Sequence, residues 1–143
     1  MLRSSLEVVF EMKLPEEVKR LFEAQSIVAF GTADKEGKPN VVPIVWKTIL
    51  NDETVLLLDN YMKMSKQNVM ENANVCISFW DPKTNEAYKI KGIGTYHADG
   101  TIYDAGKKFM QSKKPKSAPR GVVEVKVTEA YTIRPGSKAG EKL

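Results

Sequence analysis

The residues best placed to do chemistry lie in one short run, Asp59-Asn60-Tyr61-Met62-Lys63-Met64-Ser65-Lys66-Gln67-Asn68. An apolar strand-like segment, Thr54 to Asp59, leads into it, and a helix-forming segment leads out. The first N–H groups of a helix lack partners within the helix, and the aligned peptide dipoles make that end attractive to an anion. Ser65 is of a type that caps such an end, for a helix expected from Lys66 to about Asn72. Lys63 and Lys66 flank it within one turn. Lysines are unfavourable at the positive end of a helix dipole, so an anion there would neutralise them, and a phosphate has the right charge. An ordinary capped surface helix would look the same from these residues alone.

The remaining chemical inventory is sparse. His97 is the only histidine and Cys76 the only cysteine, which excludes a site of several imidazoles and a Cys-x-x-Cys redox pair. There is no Gly-x-Gly-x-x-Gly run and no Walker loop. His97, beside Ala98-Asp99-Gly100, reads as a strand-end residue. Cys76 has no histidine nearby in sequence to activate it and reads as a small filler. Trp46 and Trp80 read as core or dimer-contact side chains, with stacking on a ligand ring as the other option.

Composition narrows the class. A chain of 143 residues suits one domain, with a core large enough to need no disulfide or metal. At 42% hydrophobic and 28% charged residues it is globular in type. No apolar run approaches the ~20 residues of a membrane-spanning helix. The N-terminal MLRSSLEVVFEMK carries acids inside its apolar stretch and has no small-residue cleavage site, so no signal peptide is expected. A single unpaired cysteine points to a reducing compartment, the cytoplasm. The net charge of +4, from 22 basic and 18 acidic residues, is too mild for an electrostatic grip on nucleic acid. Lys107, Lys108, Lys113, Lys114, Lys116 and Arg120 cluster around one aromatic, Phe109, and read as a solvated loop, with an anionic small molecule or a partner subunit as alternatives.

The elements that must position these residues are mostly strands. Leu14 to Gln25 has Pro15 at its start, Glu16 and Glu17 in its first turn and an apolar stripe of Leu14, Val18, Leu21 and Phe22, the pattern of a covering helix. Ile27 to Ala33 is a continuous small or apolar run, expected as a strand buried on both faces. Asp34 to Lys38 is a turn with Gly37 free to take positive φ. Asn40 to Leu50 reads as one strand in which Pro43 forces an edge or a bulge. Thr54 to Asp59 is the third strand and Val75 to Asp81 an alternating fourth, with Val75, Ile77 and Phe79 inward. Ala87 to His97 is a long fifth, where Gly92 and Gly94 mark bends or close backbone approach. A short helix over Ile102 to Met110 precedes the last strand, Val122 to Ile133. Six strands without βαβ alternation argue against a doubly wound parallel sheet and leave an antiparallel barrel or sandwich with short helices, of which the barrel better protects its edges.

In order and spacing these segments resemble the pyridoxamine 5′-phosphate oxidase-like FMN-binding split-barrel superfamily, most closely its small, flavin-only members. The likeness rests on Ile27–Ala33 followed by Asp34-Lys35-Glu36-Gly37-Lys38-Pro39, on Val41–Lys47, on Leu56–Asn60, and on Lys63–Asn74 leading into Val75. Gly92 and the tail Tyr131 to Gly140 also fit, so the likeness spans about residues 14 to 143. It implies a mainly β fold, a six-stranded antiparallel split β-barrel (Greek key), as a single domain over 1–143 with an N-terminal extension at 1–13. It further implies a homodimer with the flavin at its interface, where Ser4 to Met12 would pack as an added strand or short helix. Backbone groups of Pro43, Ile44, Val45, Trp46 and Lys47 would hold the isoalloxazine edge, with the Lys47 charge favouring the anionic reduced flavin. Asp59 and Asn60 would reach the ring and ribityl chain, and Lys63, Met64, Ser65 and Lys66 the phosphate. Met64 stands where many relatives have a basic residue. The arginine-rich C-terminal segment with which the full oxidase binds pyridoxal phosphate has no counterpart here, so vitamin B6 chemistry is not expected. The implied function is a flavin-dependent oxidoreductase or electron carrier with a small-molecule or protein redox partner, in which the flavin carries the redox step. Alternatives within the fold are a deazaflavin, with Lys107 to Arg120 holding its anionic tail, a haem with His97 alone as imidazole, or a non-catalytic stress-response module.

Overall fold

The computed structural model describes residues 12–143; the rest of the N-terminal extension lies outside the described residues. Seven strands form one antiparallel sheet: β1 (Val28–Ala33), β2 (Pro39–Ile44), β3 (Lys47–Asn51), β4 (Thr54–Asp59), β5 (Asn74–Trp80), β6 (Ala87–His97) and β7 (Gly121–Thr132). Three helices accompany them: α1 (Glu16–Ala24), α2 (Met64–Glu71) and α3 (Gly100–Lys113). The order across the sheet is β2-β1-β5-β6-β7-β4-β3.

That order curls the sheet. β2 and β3 are its opposite edges, yet only Val45 and Trp46 separate them in the chain. Three Cα steps from Ile44 to Lys47 reach about 11 Å, whereas six interstrand spacings across a flat sheet would span about 29 Å. The sheet therefore wraps until its edges meet at this link, and the two edges do not pair with each other: the barrel is split. This corrects the strand count from six to seven. The expected strand Asn40–Leu50 breaks at Val45-Trp46, where the chain crosses from one edge to the other, and Pro43 occupies the edge strand β2, where its missing N–H costs no ladder bond.

The interior is apolar. Phe22 of α1 meets Phe79 edge-on at 5.4 Å, among Phe30, Ile77, Ile90, Val123, Val125 and Val127, all but fully buried. β4 is buried along its whole length because α3 covers its outer face, placing Met110 over Leu56, Leu58 and Val122. Gly106 permits that contact, since a Cβ there would stand 2.5 Å from a Val122 methyl. β5 keeps the expected alternation, with Val75, Ile77 and Phe79 inside. Gly92 sits at the register shift between β6 and β7, where a Cβ would meet the Lys126 carbonyl oxygen at 2.3 Å; this is the close approach its position suggested.

Three further expectations change. β1 is not buried on both faces: Val28, Phe30 and Thr32 point inward, while Ala29, Gly31 and Ala33 make a half-exposed outer face too small-chained to read as solvent-facing. The third helix runs longer, to Lys113, so Lys107, Lys108 and Lys113 belong to α3 and only Lys114 onward is loop. Ser65 is not the cap of α2. That position is Lys63, and Ser65 lies buried in the first turn, its Oγ accepting a hydrogen bond from Asn40 Nδ2 at 3.3 Å.

Candidate functional site

A groove of about 590 Å³ runs along the free edge of β2 and over the 60–63 loop. It gathers eight of the residues the sequence singled out: Pro43, Ile44, Val45, Trp46, Asn60, Lys63, Met64 and Ser65. Val42, Leu58 and Met62 complete an apolar wall, and Asn40 joins Ser65 and Lys63 at the polar end. Sequence reasons for this layout are local. A proline-bearing edge strand leaves outward backbone groups unpaired, the two-residue link brings β3 alongside, and β4 ends at Asp59 to deliver the loop. The Trp46 carbonyl takes the Leu58 N–H at 2.9 Å, fixing the link against β4.

Three singled-out residues stand elsewhere. Asp59 is fully buried behind the loop: Oδ1 accepts the Met62 N–H at 2.7 Å and an Arg120 guanidinium N–H at 3.2 Å, and Oδ2 accepts the Tyr96 hydroxyl at 2.5 Å. Burial first, and then this carboxylate, hold the Tyr96 hydroxyl proton well above the usual phenol range. Lys66 lies with its ammonium 4.9 Å from the Tyr96 ring centre. Lys47 faces the other side of the 45–46 link.

There a second cleft, of about 360 Å³, is walled by Phe22, Trp46 and Phe109. Trp46 and Phe109 meet edge-to-face at 6.2 Å. The Lys47 ammonium lies 5.1 Å from the Phe22 ring centre, Lys113 5.7 Å from Phe109 and Lys114 5.8 Å from Trp46. Among the described residues no carboxylate comes within ion-pair distance of Lys47. Burial lowers its pKa against a weaker opposing pull from Glu23. Glu23 lines the cleft as well, so flat aromatic walls stand here beside two lysines and one carboxylate. Val45 and Trp46 line both spaces, so the link is a shared wall.

Asn40, Tyr96 and Arg120 carry no motif in the sequence; their place at the site comes from sheet register and from Arg120 preceding β7. His97 pairs with Glu124 at 2.9 Å and lies outside the groove. Among the described residues no group of three His, Cys, Asp or Glu could hold a metal ion, and no helix is long and apolar enough to cross a membrane.

The split barrel has counterparts among known proteins. A protein of Methanocaldococcus jannaschii, described as uncharacterized, is 33% identical over 134 residues, covering 92% of this chain and 89% of that one. The crystal structure of HupZ from Group A Streptococcus superposes with a TM-score of 0.78 at 25% identity, covering 89% of this chain and 99% of that one. An FMN-binding protein from Syntrophomonas wolfei gives 0.71 at 14% identity, over 82% and 84% of the two chains. An F420 reductase and HutZ, the haem storage protein of Vibrio cholerae, share the fold as well, so the ligand must be argued from side chains rather than from the barrel. The family model for pyridoxamine 5′-phosphate oxidase matches residues 14–134, nearly the whole of the described barrel, and with it the chain belongs to that family.

Proposed function

We propose that this chain is an FMN-binding flavoprotein, a homodimer that works in the cytoplasm as a flavin-dependent oxidoreductase or electron carrier. One observation carries the reading: an apolar groove along an unpaired strand edge ends at a buried hydroxyl, a lysine and the first turn of a helix. Each part has a use. Backbone groups at 43–46 face the hydrogen-bonding edge of a flat ring. Pro43, Trp46 and Met62 exclude water from its face. Ser65, Lys63 and the unpaired N–H groups at the start of α2 take a phosphate. FMN, when bound, supplies hydride or single-electron transfer.

Lys47 and Lys113 across the link fit the anionic end of a substrate rather than the flavin itself. The second copy would close the groove from outside. A shallow groove of about 730 Å³ on the outer sheet face, bordered by Gly31, Val41, Cys76 and Ile93, offers it an apolar seat, and Val41 is 67% exposed.

A second reading keeps the groove and replaces FMN by a deazaflavin, favoured by Lys108, Lys113, Lys114 and Lys116, all exposed and outside any ion pair among the described residues. The absorption spectrum of the purified protein, followed by identification of the chromophore released on denaturation, separates the two. About one FMN per chain is expected. A colourless protein that takes up no flavin on titration overturns the proposal.

A further inference from the structure

Asp59 is a costly residue where it stands. A fully buried carboxylate loses several kcal/mol of hydration, and an apolar side chain of similar size would hold a strand end at least as well. Its compensation is specific. It accepts hydrogen bonds from the Met62 N–H, the Arg120 guanidinium and the Tyr96 hydroxyl, which belong to the loop after β4, the entry to β7 and the end of β6. Arg120 adds two ties of its own: its guanidinium donates to the Met62 carbonyl at 2.6 Å, and its backbone N–H to the Asp59 carbonyl at 2.8 Å. Met62 is thus gripped at both its N–H and its C=O. Lys66, over the Tyr96 ring, ties the first turn of α2 to the same assembly. The segment so fastened, 60–66, carries the polar end of the groove.

We propose that Asp59, Arg120 and Tyr96 form a brace that positions the 60–66 segment for the phosphate end of the flavin, with Asp59 a positioning residue rather than a contact to the ring. The inference rests on the flavin reading above and adds to it where phosphate affinity comes from. The brace acts on one end of the groove: its hydrogen bonds and ion pair run among Asp59, Met62, Tyr96 and Arg120, and none of them reaches the wall formed by residues 42–46.

The test compares FMN with riboflavin, which shares the ring and lacks the phosphate, by fluorescence quenching on the full chain. Wild type is expected to prefer FMN. Arg120→Met and Tyr96→Phe should each cut that preference by roughly tenfold or more while riboflavin affinity changes little. Arg120 is more than half exposed but pairs with a buried carboxylate, so Tyr96→Phe, which removes no charge, is the control for folding; Arg120→Lys keeps a cation beside Asp59 and should restore part of the preference through a single donor. Hydrogen exchange on the flavin-free protein gives a second readout: both variants should speed exchange at Met62 and its neighbours and leave the β5 and β6 amides protected. Equal weakening of both flavins, or unchanged exchange at Met62, overturns the brace. A wild type that binds neither flavin sinks the functional reading itself, and the brace with it.

Discussion

Gly121 lies directly beneath Tyr96. A Cβ on Gly121 would stand 2.2 Å from the Tyr96 hydroxyl oxygen and 2.3 Å from the ring carbon that bears it. Gly121 is also the β7 residue paired with Asp59 on β4, so the tyrosine reaches the carboxylate by crossing the one position in the ladder that has no side chain. Gly121→Ala should therefore expel the ring and cost about 1–3 kcal/mol. Denaturant midpoints of Gly121→Ala, Tyr96→Leu and the double variant close a cycle. A double variant much better than the sum of the singles is expected, and strict additivity would show that the two residues do not meet.

The pair Asn40 and Ser65 sets the direction of a proton. Asn40 Nδ2 donates to Ser65 Oγ, which leaves the serine its own hydroxyl proton to give into the groove. Ser65→Ala should weaken FMN roughly tenfold and riboflavin little. Asn40→Asp should weaken FMN further, because an aspartate would take the serine proton and turn an oxygen lone pair toward the phosphate. Isothermal titration with the two flavins measures both. An Asn40→Asp chain that binds FMN like wild type would break this link.

Lys47 gives a pH signature. Its half-buried ammonium has a pKa below the ordinary value of 10.5, so the native chain releases that proton at lower pH than the unfolded chain does. Between the two values the unfolded state holds more protons, and stability climbs as pH rises toward 10.5. Lys47→Met should remove the climb and raise stability at neutral pH by about 1 kcal/mol or less. Urea midpoints from pH 8 upward report it as roughly a single-site effect. A variant whose profile parallels wild type through this range would place the lysine in water.

Much of the barrel was legible because its strands follow a period of two and its turns carry the usual residues. β6 runs from Ala87 to His97, the bounds expected for it, and Gly37 takes positive φ in the Asp34–Lys38 turn. Pro43 marked its strand as an edge, but nothing local shows that the chain leaves one edge at Ile44 and enters the opposite edge at Lys47; only the pairing of both strands with distant partners does. Lys63, Met64 and Ser65 line one end of a groove, while the expected serine cap is absent, since a serine side chain chooses between the helix and a neighbouring strand by tertiary contact alone. Asp59 was legible as a strand end facing a loop. That it faces inward depends on Arg120, sixty-one positions later, whose approach no spacing rule predicts.

Joining opposite edges through only Val45 and Trp46 has a consequence for how the protein behaves in concentrated solution. A seam of unsatisfied peptide groups invites strands from other molecules, and this chain leaves that seam open at the very place where a ligand would lie. A bound flavin would thus serve as a stopper as well as a reagent: filled protein should stay dispersed on mild heating, while emptied protein should cloud first.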